Sequence, residues 1–163
     1  MSLSRRLFAA AAALFPFAIT RSASAAAKPD RKKLIGTWKM VGNVARGPDG
    51  KVLDTPFGPK GMGLLTMNAD GRMMAVLCDG RTEIPAGETR DYSSYCGNWT
   101  FDGEMLVTHV DASGIPRIKV GGDQPRKVRF DGPRLVLIPP PITVNGVEQH
   151  REVFWERIST HPA

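Results

Sequence analysis

The sequence predicts an all-β fold, an antiparallel up-and-down barrel of about eight to ten strands with little helix. Three observations carry this expectation. Six Asp-Gly or Asn-Gly pairs punctuate the chain between Asp49 and Gly146, and such dipeptides favour tight turns. The stretches between them are short and rich in branched and aromatic residues. No stretch holds a sustained helical stripe.

Taken in order, the basic opening Arg31-Lys32-Lys33 leads into residues 34–43, expected to be a short turn of helix followed by the first strand. Asp49-Gly50 makes the first turn. The segment from Thr55 to Gly61 holds Pro56 and Pro59 and reads as a stiffened loop, because proline fixes φ and donates no hydrogen bond. Residues 62–67 and 72–78 are strands around Asp70-Gly71, with a type I′ turn expected to set both central residues at positive φ. Residues 79–91 are polar and aperiodic, a long loop and a candidate lid. Residues 95–101 and 104–111 flank Asp102-Gly103 as a hairpin, and residues 126–130 and 134–138 repeat the pattern around Asp131-Gly132. Pro139-Pro140-Pro141 ends that strand. Asn145-Gly146 then opens the last, residues 147–157.

Strand alternation suggests which side chains point inward. Tyr95, Trp99 and Phe101 share one parity, as do Leu135 and Leu137, while Met62 and Leu64 and then Met73, Ala75 and Leu77 extend the apolar set. Methionines suit both an ordinary core and an adaptable pocket.

The N-terminus carries an address. Arg5-Arg6 precedes the apolar, alanine-rich residues 7–19, and Ala23-Ser24-Ala25 supplies a small-x-small cleavage pattern. The apolar run is shorter than the ~20 residues of a membrane span. The expected organisation is a cleaved export signal of twin-arginine type at 1–25, a linker at 26–33, the barrel domain at 34–158 and a tail at 159–163. That places the mature chain, without a transmembrane segment, in the periplasm or outside the cell. Removing Arg5, Arg6 and Arg21 lowers the formal charge from +6 to +3, too small and too interspersed for a nucleic-acid surface. A mildly basic stretch remains at Arg117, Lys119, Arg126, Lys127, Arg129 and Arg134, readable as solvated strand faces or as a positive rim for an anionic ligand.

Cys78 and Cys96 admit either a disulfide or two free thiols. No Cys-x-x-Cys or His-x-x-x-His suggests a metal, no glycine-rich phosphate loop suggests a nucleotide, and no cofactor is expected.

In order along the chain, the segments Leu34-Ile35-Gly36-Thr37-Trp38, Pro56-Phe57-Gly58, Asp70-Gly71-Arg72-Met73, Tyr92-Ser93-Ser94-Tyr95-Cys96-Gly97, Thr108-His109-Val110, Gln124-Pro125-Arg126 and Trp155-Glu156-Arg157 resemble the bacterial and fungal lipocalin-like domain family, calycin-type relatives of true lipocalins. The resemblance implies a β-barrel around a small hydrophobic or amphipathic ligand. It also implies a structural pair, Trp38 beneath the barrel against Arg157 of the last strand, with a cation–π contact. Ser113-Gly114-Ile115-Pro116 departs from the family's pattern at that position.

The function expected is therefore binding of a small, largely apolar molecule in the barrel. Tyr95, Trp99, His109 and Arg126 are expected to line it, with Tyr92 at its mouth and His109 needed to retain the ligand. The alternative is a small isomerase or cyclase acting on an enclosed apolar substrate, with His109 and Tyr95 as the acid–base pair. A third reading is an envelope interaction protein using the exposed 79–91 loop, which a filled barrel would favour.

Overall fold

A computed structural model describes residues 29–159. The expected export signal, the start of the linker and most of the tail lie outside the described residues. Ten strands follow one 3-10 turn at Arg31–Leu34: Gly36–Arg46 (β1), Val52–Leu53 (β2), Gly61–Met67 (β3), Arg72–Asp79 (β4), Tyr92–Phe101 (β5), Met105–Ser113 (β6), Asp123–Asp131 (β7), Arg134–Ile138 (β8), Ile142–Val144 (β9) and Val147–Ser159 (β10). The helical turn comes earlier than the sequence suggests and takes residues 31–33 from the linker. Asp30 caps it by accepting from the Lys32 N–H at 3.0 Å.

The order around the sheet is β1-β3-β4-β5-β6-β7-β8-β10, and β10 pairs again with β1, closing an eight-stranded antiparallel barrel. The two extra strands lie at one end. β2 continues from Ala45 and Arg46 at the end of β1, and β9 pairs with Val147–Gln149 at the start of β10. Closure leaves the eight barrel strands without a free edge.

The turns work differently from the type I′ expectation. Only Asn145-Gly146 has positive φ at both residues, 50° and 78°. At Asp49, Asp70, Asp79 and Asp102 the side chain instead accepts the N–H two residues on, at 2.8–3.0 Å. The aspartate closes its own turn, so it need not enter the left-handed region.

The lower half of the barrel is packed solid. Leu34, Trp38, Met67, Trp99, Leu106 and Leu135 are among its core, each no more than 2% exposed. The Trp38 Nε1–H donates to the Leu34 carbonyl at 2.9 Å, which ties the 3-10 turn beneath the barrel. The Arg157 guanidinium lies 4.2 Å over the Trp38 ring and donates to the Lys33 and Ile35 carbonyls. Gly36 opens β1 at φ 136°, where a Cβ would press on the Ser159 carbonyl. Glycine thus lets the first strand meet the last above the tryptophan.

Met62 and Leu64 do not face inward; they are 49% and 51% exposed. Leu65 and Met67 hold the inward positions further along β3, and glycines occupy the inward sites at 61 and 63. A Cβ at Gly63 would collide with the backbone of β4. The Met73, Ala75 and Leu77 series does face in.

Cys78 and Cys96 are both free. The β4–β5 register sets Cys78 opposite Tyr92 and Cys96 opposite Met74. Four residues of strand separate them, about 13 Å at ~3.3 Å per residue, well beyond the ~7 Å Cα limit for a bridge.

Gly97 lies across from a bulge in β6, where Asp111 is the extra residue between Val110 and Ala112, and a Cβ at Gly97 would overlap the His109 carbonyl of β6. Gly97→Ala is expected to cost about 1–3 kcal/mol, because a mid-sheet backbone must move. Chemical denaturation checks this, and an unchanged midpoint would contradict the close approach.

Candidate functional site

Above the packed base, the barrel opens into a cavity of about 510 Å³. That volume lies within the ~300–1,000 Å³ usual for small-molecule sites. Its floor and walls are apolar, formed by Leu65, Ala75, Leu77, Tyr95, Leu137 and Trp155 from five different strands. Alternation on β3, β4, β5, β8 and β10 brings these side chains to one space.

Three segments surround the mouth. Thr55, Pro56 and Phe57 come from the loop before β3, Arg117 and Ile118 from the loop after β6, and Pro139 and Pro140 from the end of β8. The loop after β6 carries its own small cluster, in which Ile115 and Ile118 pack with Val110 against Tyr95. Ser113 holds this loop, its hydroxyl donating to the Ile115 carbonyl at 3.0 Å. The family departure at 113–116 thus braces the mouth residue Ile118 through Ile115.

The 79–91 loop, expected to be a lid, contributes no cavity-lining residue. It is clasped to the side. Arg81 Nε donates to Asp79 at 2.6 Å, Arg81 Nη2 to Glu88 at 3.0 Å, and Arg90 to the Arg81 carbonyl at 2.7 Å. The Arg81 backbone N–H, and after it the guanidinium, hold the Asp79 carboxyl below the usual carboxylate range.

The residues expected to line the site divide. Tyr95 and Arg126 line the cavity. Trp99 faces inward but below it, in the packed base, with its Nε1–H on the Asn68 carbonyl at 3.2 Å and Arg31 4.1 Å from its ring. Tyr92 stands on the outer face and donates to the Gly114 carbonyl at 2.6 Å. His109 is also outside, paired with Asp123 at 2.9 Å and with its side chain 57% exposed. On β6 the inward positions belong to Leu106, Thr108 and Val110, which forces His109 outward. His109 and Tyr95 therefore face different spaces, and the expected acid–base pair is not assembled. His109→Ala is expected to change ligand affinity less than twofold and stability by less than ~0.5 kcal/mol, as for other exposed pairs. A binding titration on the folded variant checks it.

Among the cavity residues not expected from sequence as site residues are Asn43, Arg151 and Trp155. Asn43 is turned inward by a bulge between Met40 and Gly42, which shifts the parity of β1. Arg151 and Trp155 share the inward parity of Gln149 and Val153, an alternation that β10 does carry in its sequence.

The basic stretch splits as well. Lys127 pairs with Glu104 at 3.3 Å, Arg129 with Glu152 at 2.7 Å and Arg134 with Glu156 at 2.9 Å. Arg117 and Arg126 instead reach the cavity. A wider groove of about 1030 Å³ runs beneath the base beside Trp38 and Phe130, but it lies open to solvent and its charges include the Lys127–Glu104 pair together with Arg129 and Glu156, each paired with a residue outside the groove. Among the described residues, no cluster of His, Cys, Asp and Glu could hold a metal ion, and no helix is long and apolar enough to cross a membrane.

The family model of the Lipocalin-like domain matches residues 35–158. That is most of the chain, so the chain belongs to this family, and its barrel is a lipocalin-type ligand-binding scaffold. No curated protein matches it.

Proposed function

We propose that this member of the Lipocalin-like domain family is an exported carrier that holds a small, largely apolar molecule in the upper half of its barrel. The observation that carries the reading is the half-filled interior. A packed base supports an apolar cavity of about 510 Å³ with polar groups near its mouth. Such a site gains roughly 25 cal/mol for each Å² of apolar surface removed from water, and a few polar groups orient what it holds. An open cavity also removes the support for a filled-barrel interaction protein. The isomerase or cyclase reading loses its acid–base pair with His109 on the outer face.

Export rests on Arg5-Arg6, the apolar residues 7–19 and Ala23-Ser24-Ala25. Sequencing the N-terminus of the protein from the periplasmic fraction tests it, with a start near Ala26 expected.

Binding is tested by titration with N-phenyl-1-naphthylamine, a neutral apolar fluorophore. Saturable one-to-one binding with energy transfer from tryptophan supports the carrier. A linear, unsaturable response would overturn it.

A further inference from the structure

Three arginines, Arg117, Arg126 and Arg151, and two carboxylates, Asp123 and Glu152, border the cavity, and the arginines are not paired with these carboxylates. Arg126 donates only to neutral oxygens, the Pro125 carbonyl at 2.6 Å and Gln124 Oε1 at 3.3 Å. Arg151 donates to Gln149 Oε1 at 2.6 and 3.1 Å. None of the three has a carboxylate partner among the described residues.

The acids that border the cavity are engaged elsewhere. Asp123 pairs with His109 and Glu152 with Arg129, both on the outer face. By contrast, the outer-face Arg129 and Arg134 each have a glutamate. Burial, with a smaller contribution from the like charge of Arg117, pushes the Arg151 guanidinium down from its ordinary value.

The cavity wall is itself short of acceptors at two places. Two buried donors, Asn43 Nδ2 and Trp155 Nε1, have no hydrogen-bond partner among the described residues, and both residues line this cavity. Trp155 is only 2% exposed. A buried donor without an acceptor costs about 1–3 kcal/mol. Guanidinium and indole groups donate and cannot accept. With the bordering carboxylates engaged elsewhere, a charged acceptor for the arginine N–H groups comes from what the cavity binds.

We propose, resting on the carrier reading, that the ligand is an anionic amphiphile. Its acidic head lies among Arg117, Arg126 and Arg151, and its apolar body descends past Tyr95 toward Leu65, Ala75 and Leu77. Paired N–H groups of arginine match the oxygens of a carboxylate or a phosphate alike. A neutral apolar molecule would further desolvate the half-buried Arg126 and Arg151 without offering them a charged acceptor, whereas the apolar walls would not hold a free inorganic anion.

Isothermal titration with dodecanoate, dodecyl phosphate, dodecanol and dodecyltrimethylammonium, each below its micelle concentration, tests the assignment. One or both acids are expected to bind at least tenfold more tightly than dodecanol, since a charge-assisted hydrogen bond contributes roughly 1.5–3 kcal/mol. The tighter acid identifies the head. The acid-to-alcohol ratio is expected to fall toward one in Arg117→Met and in Arg151→Met, and to shrink as salt is raised. Arg117 is exposed, so its variant leaves packing intact if Arg151→Met fails to fold. Equal binding of acid and alcohol, or preference for the cation, would overturn the anionic head while leaving the carrier reading in place. Failure of all four amphiphiles to bind would overturn both.

Discussion

Trp38→Ala is expected to lower the unfolding free energy by about 3–5 kcal/mol, a large share of the ~5–15 kcal/mol that holds a typical domain. Trp38 is fully buried and touches three things that close the base of the barrel. Its indole N–H ties down the 3-10 turn through Leu34, its ring carries the Arg157 guanidinium, and its far side approaches Phe130 with ring centroids 6.5 Å apart. Removing the ring opens a cavity and strands a buried carbonyl. Arg157→Met should cost less, about 1–3 kcal/mol, because the packing survives while the Lys33 and Ile35 carbonyls lose a donor. Guanidinium chloride denaturation checks both. A loss below ~1 kcal/mol for Trp38→Ala would show that the base is not the keystone of the fold.

The second large effect concerns binding. Ala75→Phe places a ring where the cavity wall now has only a methyl group, on the inward face of β4. Excluding about three ligand methylenes costs about 2.4 kcal/mol, close to fiftyfold in Kd. The ring enters open space rather than a packed core, so stability should move by no more than ~1 kcal/mol. Titration with the same neutral fluorophore measures the affinity, and thermal unfolding measures the fold. Wild-type affinity in this variant would place the ligand elsewhere.

Much of the architecture was legible in the residues because barrel strands obey a period of two and aspartate-glycine turns mark their ends. Arg134–Ile138 is a strand with the expected bounds, and the Gly36-Thr37-Trp38 motif and Arg157 meet beneath the barrel. Inward and outward faces were legible only where no bulge intervened and the larger side chains pointed in. On β3 glycines hold the inward sites at 61 and 63, so the visible apolar residues Met62 and Leu64 are the outward ones. On β1 the bulge after Met40 brings Asn43 inside, and no local pattern announces it.

The candidate site was less legible than the fold. As a histidine on a strand, His109 carries no orientation of its own. Its neighbours Thr108 and Val110 do, since both are buried at 1% exposure. Arg126 and Arg129 looked alike in a basic stretch. What separates them is a glutamate across the sheet: Glu152 neutralises Arg129, and among the described residues no carboxylate pairs with Arg126. Such pairings depend on register between strands distant in sequence.

The most direct test of the central claim uses the three tryptophan indole N–H resonances. Trp38 and Trp99 spend theirs on the Leu34 and Asn68 carbonyls in the packed base, whereas Trp155 lines the cavity with its N–H unpaired. A two-dimensional ¹⁵N–¹H spectrum recorded during titration with dodecanoate should show the Trp155 indole signal moving saturably, together with the amides of Tyr95 and Ile118. The Trp38 and Trp99 indole signals should stay in place. Movement of Trp38 with the amide of Phe130 instead, or of the outer residues Tyr92 and His109, would contradict a ligand held inside the upper barrel.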